Sequence, residues 1–212
     1  MVFAKLAQRA STAEAELTVP EPAVAQPLER GERVRASTPV RFARGALILG
    51  LVIWTWRFAA APMGGAAAHS VLHLPDLVFH EAGHVILGIF GRFVGVLGGS
   101  LFQFAVPLIL GTAFLRQADA FAAAVCAWWA GQNLLDVAPY IADARALQLV
   151  LLGGQTGAEV EGHDWEYLLT EMNLLQWDRT LGFTAHWAGL AMMAAALLWA
   201  CLSLPYGSRR AD

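Results

Sequence analysis

Apolar and polar positions in this chain do not alternate on the short scale of a soluble fold; they come in blocks. Apolar blocks at about 45–61, 75–90, 93–115, 118–142 and 183–204 are separated by short joints and by one polar stretch at 143–182. A helix needs about 20 apolar residues to cross a bilayer, and in lipid only helices or closed barrels satisfy the backbone. The pattern therefore predicts an all-α, polytopic membrane helical bundle with about 4–6 membrane segments. The block at 183–204 reads as the cleanest membrane helix, with His186 as its only ionisable group. The block at 75–90 is short for a crossing, and Pro75 is placed to start its helix. The block at 93–115 contains Gly95, Gly98, Gly99 and Pro107 and is expected to be irregular in its first part. Within 163–177, Trp165, Leu168, Leu169, Met172 and Leu175 recur on one face, which predicts an amphipathic helix lying on the membrane or capping the bundle.

Composition sharpens this reading. Of 212 residues, 57% are hydrophobic and only 15% charged, against roughly 25% charged in soluble domains. Most charge sits in 1–44, in 159–179 and at the C-terminus. Residues 1–44 hold several glutamates, Pro20, Pro22 and Pro27 but no apolar core, so they are expected to form a disordered tail and not a secretory signal. Arg30, Arg33, Arg35, Arg41 and Arg44 precede the first apolar block, which places the tail in the cytoplasm by the positive-inside rule. The membrane is then of the bacterial inner or cytoplasmic type. Arg209 and Arg210 in the tail at 205–212 ask for a cytoplasmic C-terminus as well. That needs an even number of crossings, whereas the apolar blocks are odd in number; a re-entrant second or broken third block would reconcile them. A net charge of −3, with Lys5 the single lysine, excludes a nucleic-acid partner. Cys126 and Cys201 read as buried apolar residues and not as a disulfide or metal pair. The tryptophans read as membrane anchors.

The chemistry concentrates in His80-Glu81-Ala82-Gly83-His84. Residues four apart share a helix face, so His80 and His84 can present nitrogens to one metal ion, with Glu81 beside them as a general base for water. Ala82 and Gly83 are small and let another helix approach. Ionisable groups inside an apolar helix are functional by default. A catalytic zinc ion takes a third protein ligand and keeps one position open. In the fourth block Asn133, Asp136, Tyr140 and Asp143 form one polar stripe, interrupted by Pro139, and Asp136 matches the depth of His84. The third ligand is expected from Asp136 first, then from His163 or Asp143. Asp76 is a candidate to orient His80 or to face the helix dipole. His69 and His73 read as interfacial, and His186 as a helix-packing histidine.

With these residues the chain resembles the site-2-protease family of intramembrane zinc metalloproteases. That family carries HExxH in a transmembrane helix, then a glycine-containing loop, then an aspartate ligand from an Asn…Pro…Asp-Gly motif on a later helix. Here His80-Glu81-Ala82-Gly83-His84 is followed by Gly91-Arg92, by Gly98-Gly99 and by Asn133…Pro139…Asp143, with Ala144 in place of the family's glycine. The resemblance spans about 74–145 and implies a membrane-embedded zinc metallopeptidase domain over 45–204. Such an enzyme uses Glu81 as general base and cleaves a membrane-protein or peptide substrate in or near the lipid bilayer. A zinc hydrolase acting on a lipid or another amide, and a non-enzymatic metal-binding or transport protein, remain the alternatives.

Overall fold

The computed structural model describes residues 35–63 and 70–207. The described residues form six α-helices: α1 (Thr38–Ala60), α2 (His73–Leu87), α3 (Arg92–Arg116), α4 (Ala120–Ala142), α5 (Asp164–Glu171) and α6 (Asp178–Ser203). Isolated bridges, Arg35 to Tyr206 and Val150 to Thr156, are the extended pairings among them. The all-helical expectation holds.

Three helices among the described residues, Thr38–Ala60, Arg92–Arg116 and Leu175–Ser203, are long and apolar enough to cross a membrane, fewer than the four to six expected. The other two blocks fall short for different reasons. Helix α2 has only 15 residues, about 22 Å at 1.5 Å per residue, and α4 carries Gln132, Asn133 and Asp136 on buried positions. Large apolar side chains are exposed along the bundle, Val85 at 78% and Ile89 at 80% among them. Surface of that kind is what a lipid-facing helix presents, and water-soluble proteins rarely gather so much of it.

The glycines assign the neighbours. A Cβ on Gly131 would lie 2.8 Å from the Gly189 carbonyl, and one on Gly182 2.7 Å from that of Ala138, so α4 and α6 cross in antiparallel contact. Gly83 on α2 meets Gly98 on α3 in the same way, as the small residues of the HEAGH segment lead one to expect. Helix α3 is continuous through Gly95, Gly98, Gly99 and Pro107, not broken: these glycines serve helix packing. The main apolar core joins Leu51 and Phe58 of α1, Trp128 and Leu135 of α4, and Leu190, Met193 and Ala196 of α6.

Helices α1 and α2 run in the same direction. The Ala36 amide donates to the Pro205 carbonyl at 3.0 Å, so the two ends of the described chain meet at one end of the bundle. Thr55 of α1 accepts from the Trp128 indole, and His73 at the start of α2 bonds Asp136. Helix α2 thus begins near the depth that α1 has reached, and the two follow one another in the same sense. Arg209 and Arg210 lie outside the described residues, as do His69 and positions 1–34 of the N-terminal tail. The tail boundary at 44 moves: Ser37 and Pro39 start α1 at Thr38, and Arg44 pairs Asp119 at 3.5 Å.

Three further expectations change. Trp128 and Trp129 point inward to donate to Thr55 and Asp76 and do not anchor an interface, whereas Trp56 is 72% exposed. Cys126 is buried but Cys201 is exposed, and both are free. The amphipathic segment shortens to α5, whose Leu168 and Leu169 are buried; Leu169 packs against Val137, Ile141 and Ala144. It caps the bundle.

Candidate metal centre

His80 and His84 lie one turn apart on α2 with ring centroids 4.8 Å apart. Donor atoms of His80, Glu81 and His84 all lie within 4.8 Å of one another. A third group joins the histidines from α5: Oδ2 of Asp164 is 3.0 Å from His80 Nε2 and 3.2 Å from His84 Nε2. Ligands held about 2.0–2.1 Å from a tetrahedral zinc are separated by about 3.3 Å, and the Asp164 oxygen stands at nearly that distance from each ring nitrogen. The space beside them exists because residue 99 has no side chain. A Cβ there would lie 2.6 Å from both Nε2 atoms.

The protonation pattern follows from the far side of each ring. His84 Nδ1 is 2.9 Å from the Gly95 carbonyl, which can only accept, so the proton sits on Nδ1 and Nε2 keeps its lone pair. His80 Nδ1 is 2.9 Å from Gln103 Oε1, with the same consequence. With both rings neutral, two imidazole lone pairs and a carboxylate oxygen converge; without a metal, the hydrogen bond to Asp164 raises the His84 pKa to about 9, so that ring carries the proton. Three acceptors at this separation need a positive charge between them, either a proton on one ring or a metal cation. Burial pushes the Asp164 carboxyl up, but hydrogen bonds to His80 and His84 and their charge more than offset it, leaving the group below the ordinary aspartate range. Asp164 is held by its own backbone too, since its amide donates to the Tyr140 hydroxyl at 2.9 Å.

Asp136, the third ligand expected first, is not part of this group. Its oxygens lie 2.9 and 3.0 Å from His73 Nδ1, and Oδ2 accepts from Gln103 Nε2 at 3.1 Å. The helical stripe was read correctly in angle, but the partner in α3 intervenes between Asp136 and the α2 histidines. His163 is also elsewhere. It is the N-cap of α5, its Nδ1 accepts from the Glu166 amide, and its Nε2 is 3.5 Å from Asp143. Burial lowers its pKa, partly offset by Asp143 and Asp164. Asp143 accepts from the Gln148 and Leu149 amides and so closes the turn after α4. Asn133 turns its amide to the Trp129 carbonyl. Asp76 is fully buried and accepts from the Trp129 indole at 2.8 Å, so Gln103 takes the orienting position expected of it. His73, read as interfacial, opens α2 and bonds Asp136 through Nδ1, with Pro75 in the first turn where no amide donor is needed. His186 is buried edge-on to Trp187, in keeping with a packing role.

Sequence reasoning missed Asp164 although it stands next to His163. The available signal was its place in Gly162-His163-Asp164-Trp165, at the start of an amphipathic segment; spacing could not say which of the neighbours turns inward.

The class defined to this point is a helical protein with membrane-length apolar helices and a two-histidine, one-carboxylate cluster able to hold a cation. Compared with protein-family models, curated proteins and solved structures, the chain matches none of them.

Proposed function

We propose that the protein is a membrane-embedded zinc metallopeptidase in which His80, His84 and Asp164 hold the metal and Glu81 is the general base. One observation carries this reading: Oδ2 of Asp164 lies 3.0 and 3.2 Å from the Nε2 atoms of His80 and His84, beside the space that Gly99 leaves clear. Two nitrogens and one oxygen are a donor set zinc favours, with one position left for water. Zinc, when bound, acts as a Lewis acid that makes water a nucleophile near neutral pH. The remaining work belongs to the chain. Glu81 is exposed and follows His80 directly, and its carboxylate lies within 4.8 Å of the donor atoms of both histidines, close enough to serve a water held there. It takes the proton of the attacking water and delivers it to the departing amine.

The substrate reading rests on the face that Glu81 occupies. Leu74, Val78 and Val85 are all exposed and, with Glu81 between them, step by four, three and four along α2. A substrate that reaches the base therefore crosses an apolar helix face, which favours a membrane-inserted peptide over a water-soluble one. The likeness to site-2 proteases supports the same chemistry, with Asp164 supplying the carboxylate from beyond the matched segment.

The test is made on the purified full chain in detergent. Elemental analysis is expected to find about one zinc per chain, lost in His80→Ala/His84→Ala. Mass spectrometry of apolar peptides incubated with the parent is expected to find cleavage that Glu81→Gln lacks. Equal metal in parent and double variant overturns the centre. Metal without any peptide cleavage, alongside hydrolysis of a lipid amide, moves the protein to the alternative hydrolase class.

A further inference from the structure

We propose that Gln103 is the positioning residue that fixes which nitrogen His80 offers to the metal, and that Asp136 and His73 act through it. The proposal rests on the reading of His80, His84 and Asp164 as a metal centre.

A neutral imidazole carries one proton, and only the other nitrogen can bind a metal. For His84 the choice is made by a backbone carbonyl, Gly95, which no substitution removes. For His80 it is made by a side chain that could face either way. Were the Gln103 amide reversed, its NH2 would donate to His80 Nδ1, the proton would move to Nε2, and that nitrogen could no longer bind. Asp136 prevents the reversal. Its Oδ2 lies 3.1 Å from the other end of the amide, and a carboxylate accepts only, so that end must be the NH2. Asp136 is held in turn by His73 Nδ1 against both its oxygens. Gln103 is 2% exposed on α3, one of the membrane-length helices, where an amide is costly unless both its ends are bonded. Both ends are bonded here, and one bond leads to the centre. The interposed amide also keeps the Asp136 charge one hydrogen bond away from His80. The imidazole receives orientation without a carboxylate directly on its ring.

Chelator competition with zinc on the full chain in detergent tests this, together with the visible bands of the cobalt(II)-loaded protein. Gln103→Met keeps the length and loses the acceptor; it is expected to weaken zinc binding by about 10–100-fold and to alter the cobalt bands. Gln103→Glu combined with Asp136→Asn restores an acceptor for Nδ1–H without setting two carboxylates against each other, and is expected to return affinity to within a few-fold of the parent. A merely structural glutamine would change thermal stability in both variants and move neither metal readout. Zinc affinity of Gln103→Met within about threefold of the parent, with unchanged bands, overturns the inference while the centre stands. A parent that binds no zinc overturns the centre, and the inference with it. Should Gln103→Met fail to fold, Asp136→Leu, which frees the amide to reverse, is expected to weaken binding in the same direction, and unchanged affinity there is equally decisive against it.

Discussion

Two histidine–carboxylate clusters sit along α2, and their polar atoms are arranged in opposite ways. At the start of the helix, His73 meets Asp136 as donor to acceptor, with Gln103 donating to the same carboxylate. About two turns further on, His80 and His84 direct Nδ1 away to Gln103 and Gly95, and their Nε2 atoms meet the Asp164 oxygen. The first cluster is closed by its own hydrogen bonds. The second gathers acceptors around the space beside Gly99 and needs a positive charge to close it, a proton on one ring or a metal cation. Residue type does not separate the two; the direction of the hydrogen bonds and the room between the groups do.

The comparison can be broken most decisively at Glu81. Glu81→Gln is expected to lower peptide hydrolysis by about 10²–10⁴-fold while zinc content stays at the parent's level, read by turnover and elemental analysis on one preparation. Loss of metal in that variant would make Glu81 a ligand. Next in size is the contrast between the two carboxylates. Asp164→Ala is expected to weaken zinc by far more than 100-fold, and Asp136→Ala to stay within the roughly 10–100-fold range of an orienting partner. If chelator competition gives the reverse order, the clusters exchange roles.

Gly99→Ala probes the space itself. A methyl group 2.6 Å from both Nε2 atoms must push the rings aside, a strain of about 1–3 kcal/mol, so zinc affinity is expected to drop by about 10–100-fold. Gly50→Ala, with nothing within 4 Å of its added Cβ, is the control and should match the parent. The smallest effect is expected at His163. Its side chain caps α5 by accepting from the Glu166 amide, so His163→Ala should cost about 0.5–2 kcal/mol of stability and leave zinc content unchanged. A metal-free His163→Ala protein with an intact fold would return His163 to the ligand set.

Much of this protein was legible without its fold. Block lengths and the scarcity of charge led to helices of membrane length, because lipid offers the backbone no other partner. The four-residue spacing of His80 and His84 put two nitrogens on one face, since a helix repeats every 3.6 residues whatever surrounds it. The smallness of Gly83 announced a close helix neighbour, which proved to be Gly98. Periodicity also found the stripe containing Asp136 and Tyr140, because a stripe is a property of one helix.

Tertiary structure decided which helix each stripe faces and how deep its residues lie. Asp136 has the right angle on α4, but Gln103 of α3 and His73 occupy its oxygens. Asp164 reaches the histidines only because the chain after α4 folds back over the bundle, with Asp143 closing the turn, His163 capping α5 and Tyr140 holding the Asp164 amide. The contacts of Asp164 with Tyr140 and His80 join residues 24 and 84 positions apart. Local periodicity carries no information over such separations. Packing supplies it, because each buried donor and acceptor must find a partner wherever the chain has brought one within reach.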